Sequence, residues 1–322
     1  MPLEVGAPSR LAVAVAAVVL VSGCAQIGQI RAQQSFKEAN QAYQAQDYKK
    51  AADLYEQTIQ ANPDLNTAYF FLGNSYDQLW KPSKKGEAAN DELLQKAVDN
   101  YQKSAERLVN VPSPEERRIG RLALEYLVAT YGADKLNDPA KAEPVVQRMI
   151  QNDPTDTGSY FVLARIYQDA GLYDEAEKIY LLAKDAKPGD PAVYMQLAGF
   201  YNGQGDFAKT IDALQQRAQK EPTNPEAFYT IATYYWDEAY RDPRVRENEK
   251  KEYVKSGIEA IDHALQLKAD YAEALIYKGL LLRLQANIEK DPSLQQSLIK
   301  QADALRDRAQ ELRKQKAAGA GD

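Results

Sequence analysis

Apolar, small and turn-forming residues return every thirty-four positions through the middle of this chain. Leu163, Ala164, Tyr167, Gly171, Tyr173, Ala176, Tyr180, Ala183 and Pro188 are answered by Leu197, Ala198, Tyr201, Gly205, Phe207, Thr210, Leu214, Arg217 and Pro222. A period of this length marks a repeat array, in which each unit buries its apolar face only by stacking on its neighbours. Asp190-Pro191 and Asn224-Pro225 read as a helix N-cap followed by proline at the first helical position.

The same spacing lays out the rest of the chain. One unit runs from about residue 32 to 66, with Ala39, Tyr48, Ala51, Tyr55 and Pro63 in register. The next has Leu72, Gly73 and Tyr76, but Ala97 and Tyr101 arrive late, with Lys81 to Glu92 as the inserted piece. A weaker unit spans about residues 121 to 154, and two clear ones begin near Thr157 and Pro191. A further unit begins near Pro225; its Ile261 and Ala264 are displaced by the charged stretch from Tyr240 to Ser256. The last covers about Ala272 to Glu311, with an insertion around Asp291-Pro292.

These residues resemble the tetratricopeptide repeat (TPR), a helix A and a helix B packed antiparallel. The resemblance covers roughly residues 32 to 311. It implies an all-α fold, a right-handed α-solenoid of about seven TPR-like helix pairs, three of them with lengthened connections. The expected solenoid domain is 32–313, and the tail 314–322, small and polar without pattern, is expected to be disordered. The charged stretch Arg241 to Lys255 admits two readings, an interaction site or a longer solvated helical hairpin.

In that family helix A lines a concave groove. Carried over position by position, the groove would be lined by Phe36, Asn40, Phe70, Asn74, Phe161, Arg165, Gln168, Met195, Asn202, Tyr229 and Trp236. Aromatic anchors flanked by Asn, Gln and Arg suit an extended peptide or a helix. The alternative is that the aromatics pad the contact between neighbouring helices A. Asn40 and Asn74 resemble the asparagines of TPR carboxylate clamps, but Phe36 and Phe70 stand where those clamps need lysine. A carboxylate clamp is therefore not expected.

The N-terminus is built differently. Leu11 to Val21 is an uninterrupted apolar run, too short for a membrane-spanning helix and right for a signal-peptide core. Val21-Ser22-Gly23-Cys24 follows and resembles the bacterial lipobox, which implies cleavage before Cys24 and lipidation of its thiol. The expected segments are a signal peptide, 1–23, and a lipidated linker, 24–31. More than one acyl chain, the usual outcome in that family, gives stable anchoring. Ala25 stands where enteric lipoproteins kept at the inner membrane carry aspartate, which favours the outer membrane.

Composition narrows the chemistry. Cys24 is the only cysteine, so no internal disulfide can form, and His263 is the only histidine. One of each cannot supply the usual four-ligand zinc site, and no Gly-x-Ser-x-Gly turn or glycine-rich phosphate loop occurs. The net charge of −6 argues against nucleic acid, whose binders carry a basic stripe. No enzyme activity, cofactor, metal or small-molecule substrate is expected. The expected role is a non-catalytic protein-binding scaffold, a lipid-anchored TPR lipoprotein of the bacterial envelope facing the periplasm. Its partners would be proteins or peptides held in the helix A groove. The alternative is a structural spacer or self-associating scaffold that uses its convex face or long hairpins.

Overall fold

The computed structural model describes residues 28–319. The expected signal peptide, the lipobox with Cys24 and residues 320–322 lie outside the described residues. Every regular element among the described residues is helical, and the chain divides into two compact units, Met1–Gly171 and Leu172–Asp322.

The first unit holds α1 (28–44), α2 (Tyr48–Ala61), α3 (Thr67–Leu79), α4 (Ala88–Leu108), α5 (Pro114–Tyr131), α6 (Pro139–Asn152) and α7 (Thr157–Asp169). The second holds α8 (Tyr173–Ala186), α9 (Pro191–Gly203), α10 (Phe207–Lys220), α11 (Pro225–Arg241), α12 (Glu247–Leu267), α13 (Ala272–Ile288) and α14 (Pro292–Gly319). Within each unit consecutive helices pack on one another, the α-solenoid arrangement.

Local sequence explains the helix ends. Asp47, Asp138, Asp156, Asp190, Asp206 and Asn224 each accept a backbone N–H of the following turn. They satisfy donors that a helix start leaves without intrahelical partners. Pro139, Pro191 and Pro225 occupy the first helical position, where a missing N–H costs nothing. Gly171 and Gly205 turn the chain out of α7 and α9 with φ of 75° and 73°, a conformation in which only glycine avoids a Cβ clash.

Small residues set the helix spacing. A Cβ on Gly120 would lie 2.7 Å from the backbone of Leu108 and Val109, so α5 passes α4 at backbone contact. Gly73 stands 3.0 Å from the Tyr101 ring by the same measure. Ala39, Ala51, Ala97, Ala123 and Ala142 are fully or almost fully buried in the same core.

The recurring tyrosines act as struts between successive elements. Tyr69, Tyr160 and Tyr194 donate to the carbonyls of Pro63, Pro154 and Pro188, each six residues back. Tyr167 and Tyr201 donate to Glu143 and Glu177 on the preceding helix at 2.7 and 2.9 Å, and Tyr76 bonds Glu56 in the same way. Each of these buried or half-buried rings thereby carries its hydroxyl to an acceptor.

Four features differ from the sequence expectation. The insertions do not mainly lengthen connections. Only 80–87, with a 3-10 turn at Pro82–Lys84, is a long one; at the other two sites the extra residues are helix, so that α11 reaches Arg241 and α12 resumes at Glu247. The charged stretch is thus a long solvated hairpin with i,i+4 pairs such as Lys251–Glu247 at 2.8 Å. The third repeat starts earlier than residue 121, at Pro114, capped by Ser113. The first helix begins by residue 28, inside the expected linker 24–31, with Ala32 fully buried. The last helix continues to Gly319, into the tail expected to be disordered, because Lys, Gln and Ala are good helix formers.

Candidate functional site

Helices α1, α3, α5 and α7 in the first unit, and α9, α11 and α13 in the second, are the first helices of their repeats. The structure sorts the expected groove residues on them into three groups.

The first group belongs to packing. Phe36 is half-buried, edge-on to Tyr55 and Phe71 at 5.8 and 6.1 Å. Phe70 is buried among Phe71, Tyr101 and Tyr126, all within 6 Å. Asn40 accepts the Tyr55 hydroxyl at 2.6 Å, and the buried Asn74 accepts that of Tyr43 at 2.5 Å. Phe70 and Asn74 are therefore not an open wall: Phe70 pads the adjacent helices and Asn74 satisfies the half-buried Tyr43 phenol. Beside them Asp77, 8% exposed, receives Lys135 Nζ at 2.7 Å, so charge as well as aromatic surface is held inside this stack.

The second group borders open surface. Arg165, Asn202 and Met195 are exposed, and Arg217 Nη1 approaches the Met195 sulfur at 3.5 Å. Phe161 and Gln168 are half-buried and engaged with neighbours. Arg165 stands at a cleft of about 440 Å³ between α5 and α7, floored by the start of α6. Val128, Ala129, Val162 and Ile166 make its apolar lining, and Glu125, Arg165 and Asp169 add charge. Val162 is 39% exposed, so apolar surface in the cleft remains in water and would be covered favourably. An apolar cleft with a few charged groups is how proteins receive a partner's side chains.

The third group is aromatic. Tyr229 and Trp236 on α11 join Tyr271, Tyr277 and Tyr240 in an unbroken row across α11 and α13. Burial, then the neighbouring Tyr277 and Tyr271, push the Tyr229 phenol up to about 12.

Glu125, Val128 and Ala129 were not among the expected groove residues, because the third repeat's register is weak in the sequence; Val162 follows Phe161 in the clear repeat from Thr157 and stands one place outside the expected groove positions. Tyr240, Tyr271 and Tyr277 were not among the expected residues either. The i, i+7, i+11 spacing of Tyr229, Trp236 and Tyr240 puts all three on one helix face and was a usable signal.

His263 is exposed and stacks on Phe228 with ring centroids 3.9 Å apart. It borders a more polar cleft of about 540 Å³ between α10, α11 and α12, on the second-helix side of the repeats. Among the described residues no three His, Cys, Asp or Glu side chains group as metal ligands, and no helix is long and apolar enough to cross a membrane.

These struts, small-residue seams and paired helices define a scaffold of helical repeats. Two stretches, residues 36–105 and 135–198, match tetratricopeptide repeat models, so the chain carries repeats of the kind that mediate protein interactions. Neither model describes an enzyme. The TPR repeat-containing protein YpiA of Bacillus subtilis (strain 168) is 24% identical over 108 residues, 34% of this chain. The chain spans about a quarter of that relative, 24% of its length. Among solved structures, MamA is similar at 19% identity and a TM-score of 0.40, over 56% of this chain and 92% of that one. YrrB, described as a TPR protein with an unusual peptide-binding site, is similar at 18% identity and 0.37, over 61% and 89%.

Proposed function

We propose that this protein is a non-catalytic scaffold of the bacterial envelope, lipid-anchored at Cys24, that captures segments of partner proteins on the first-helix surfaces of its repeats. The observation that carries the binding role is the apolar cleft between α5 and α7 with its charged rim. A partner's apolar side chain entering beside Val162 would leave water, while Arg165, Glu125 and Asp169 would select charge around it. The Val21-Ser22-Gly23-Cys24 tetrapeptide supports the anchor and the periplasmic setting, with the outer membrane favoured by Ala25. Confinement to a membrane surface would raise the effective concentration of the repeats for partners there.

The test uses a random-peptide library displayed on phage, selected against the purified protein and, in parallel, against Val162→Glu. Val162 is exposed, so the variant keeps its fold while placing a carboxylate in the cleft. Peptides with a shared apolar anchor should be enriched on the wild type and lost on the variant. Equal enrichment on both would remove the cleft as the binding site.

A further inference from the structure

The turn between α5 and α6 carries a cation that points away from the cleft it borders. Gly132, Ala133 and Asn137 of this turn form part of the wall of the cleft between α5 and α7. Lys135, in the middle of the same turn, does not line it. Its Nζ donates instead to both carboxylate oxygens of Asp77 on α3, at 2.5 and 2.7 Å. The partners are 58 positions apart in sequence.

Asp77 has little choice of partner. It lies in the last turn of α3, where the helix end already carries partial negative charge. Its side chain is only 6% exposed, so water does little to offset the charge, and a carboxylate left alone there is costly. The Tyr101 hydroxyl stands 3.5 Å away, too far to be a strong donor. Lys135 is therefore the counter-ion that makes the buried carboxylate tolerable.

The turn passes this constraint on to the cleft wall. Backbone N–H groups of Leu136, Asn137 and Asp138 donate to the carbonyls of Thr130, Gly132 and Tyr131 at 2.9 to 3.1 Å. The segment is thus wound on itself, and holding Lys135 also holds Gly132, Ala133 and Asn137.

Direction decides the consequence. α3 is the first helix of the repeat before α5, and α7 is that of the repeat after it, so the two flank α5 on opposite sides. Tying the turn to α3 draws it back from α7. Val162 and Ile166 on the α7 wall are apolar, and Val162 keeps surface in water. Covering that surface with the turn would be favourable, and the buried ion pair opposes it.

We propose that Lys135 is a positioning residue for the cleft: paired with Asp77, it holds the α5–α6 turn back from α7 and keeps the cleft open. The proposal deepens the reading of this cleft as a binding site, and rests on it for what the open cleft receives.

The test needs no ligand. Cys24→Ala removes the only thiol of the chain, and Val162→Cys then sets a single one on the cleft wall of the full chain. Its rate of reaction with N-ethylmaleimide reports how open the cleft is. Adding Lys135→Met should slow that reaction by about threefold, as a closed state twice as populated as the open one would give. Lys135→Met leaves Asp77 buried without a counter-ion, so the double variant Asp77→Asn/Lys135→Met is measured beside it. That variant removes both charges, which folded proteins tolerate better than the loss of one, and it should slow the reaction to the same extent. A pair that served stability alone would give the opposite sign, because a loosened fold exposes the thiol and raises the rate. The proposal is overturned if the double variant reacts at the parent rate or faster, even where Lys135→Met is slow. Because the rate is read without peptide, the tie and the binding role of the cleft fail separately: the display selection reports on the second and leaves the first untouched.

Discussion

At the scale of single residues the repeat assigns each position a physical task, and one position departs from it. Gly171 and Gly205 leave the first helix of their repeats with φ near 75°; in the first repeat Gln46 holds the same place with φ of 60°. A side chain in this region costs about 1–2 kcal/mol through the contact of its Cβ with the next carbonyl. Glycine relieves that, at some cost in the freedom it has when unfolded. Gln46→Gly should therefore stabilise the protein by about 0.5–1 kcal/mol, read as a higher urea midpoint at unchanged slope. The tyrosine struts belong to this scale too. Their periodicity was visible in the sequence, but their acceptors were not: nothing in the spacing says that Tyr201 will reach back to Glu177 or Tyr194 to the Pro188 carbonyl.

At the scale of helices, alanine and glycine decide how closely neighbours approach. Gly120 is the tightest case, since the atoms that a Cβ would meet are the backbone of Leu108 and Val109 rather than a movable side chain. Gly120→Ala should cost about 1–3 kcal/mol, the range for overpacking a closed core, despite alanine's better helix propensity. A thermal melt compares it with Gly199→Ala, where an added Cβ meets nothing within 4 Å; that variant should be neutral or slightly stabilising. Helix starts near Pro191 and Pro225 were legible because an aspartate or asparagine cap precedes each proline, and the start near Thr157 followed from the repeat spacing. The start at Pro114 was missed although Ser113-Pro114 is the same pair of cap and proline, because it lies ahead of the place where the thirty-four-residue register was set. The lengthened helices were read partly as connections for a related reason. Charge-rich sequence such as that from Arg241 to Lys255 shows little apolar pattern, yet Val254 is buried with Ala239 and Leu284 and holds the start of α12, with exposed pairs such as Lys251–Glu247 adding little. The aromatic groove positions were legible as positions and not as surface. Phe70 is buried against Phe71, and Phe36, Tyr229 and Trp236 are alike half-buried and packed on core residues.

At the scale of the whole molecule, two compact units each offer a different first-helix surface. The first has an apolar cleft with a charged rim, the second an aromatic row. The anchor is argued from sequence alone. Expressed in a bacterial host, the native chain should fractionate with membranes and give an intact mass that begins at an acylated Cys24. Cys24→Ala should be released to the soluble fraction at its unmodified mass. A soluble wild-type chain that retains Met1 would end the lipoprotein reading without touching the binding one.

The binding reading itself is tested most directly by hydrogen exchange of the full chain, with and without a peptide taken from the display selection. Backbone amides of a helix exchange more slowly where a ligand covers and rigidifies it. The account predicts slowed exchange at residues 125–131 of α5 and 161–169 of α7, with α2 and α4 unchanged. Protection confined to the second helices of the repeats, or none at all with the peptide bound, would contradict it.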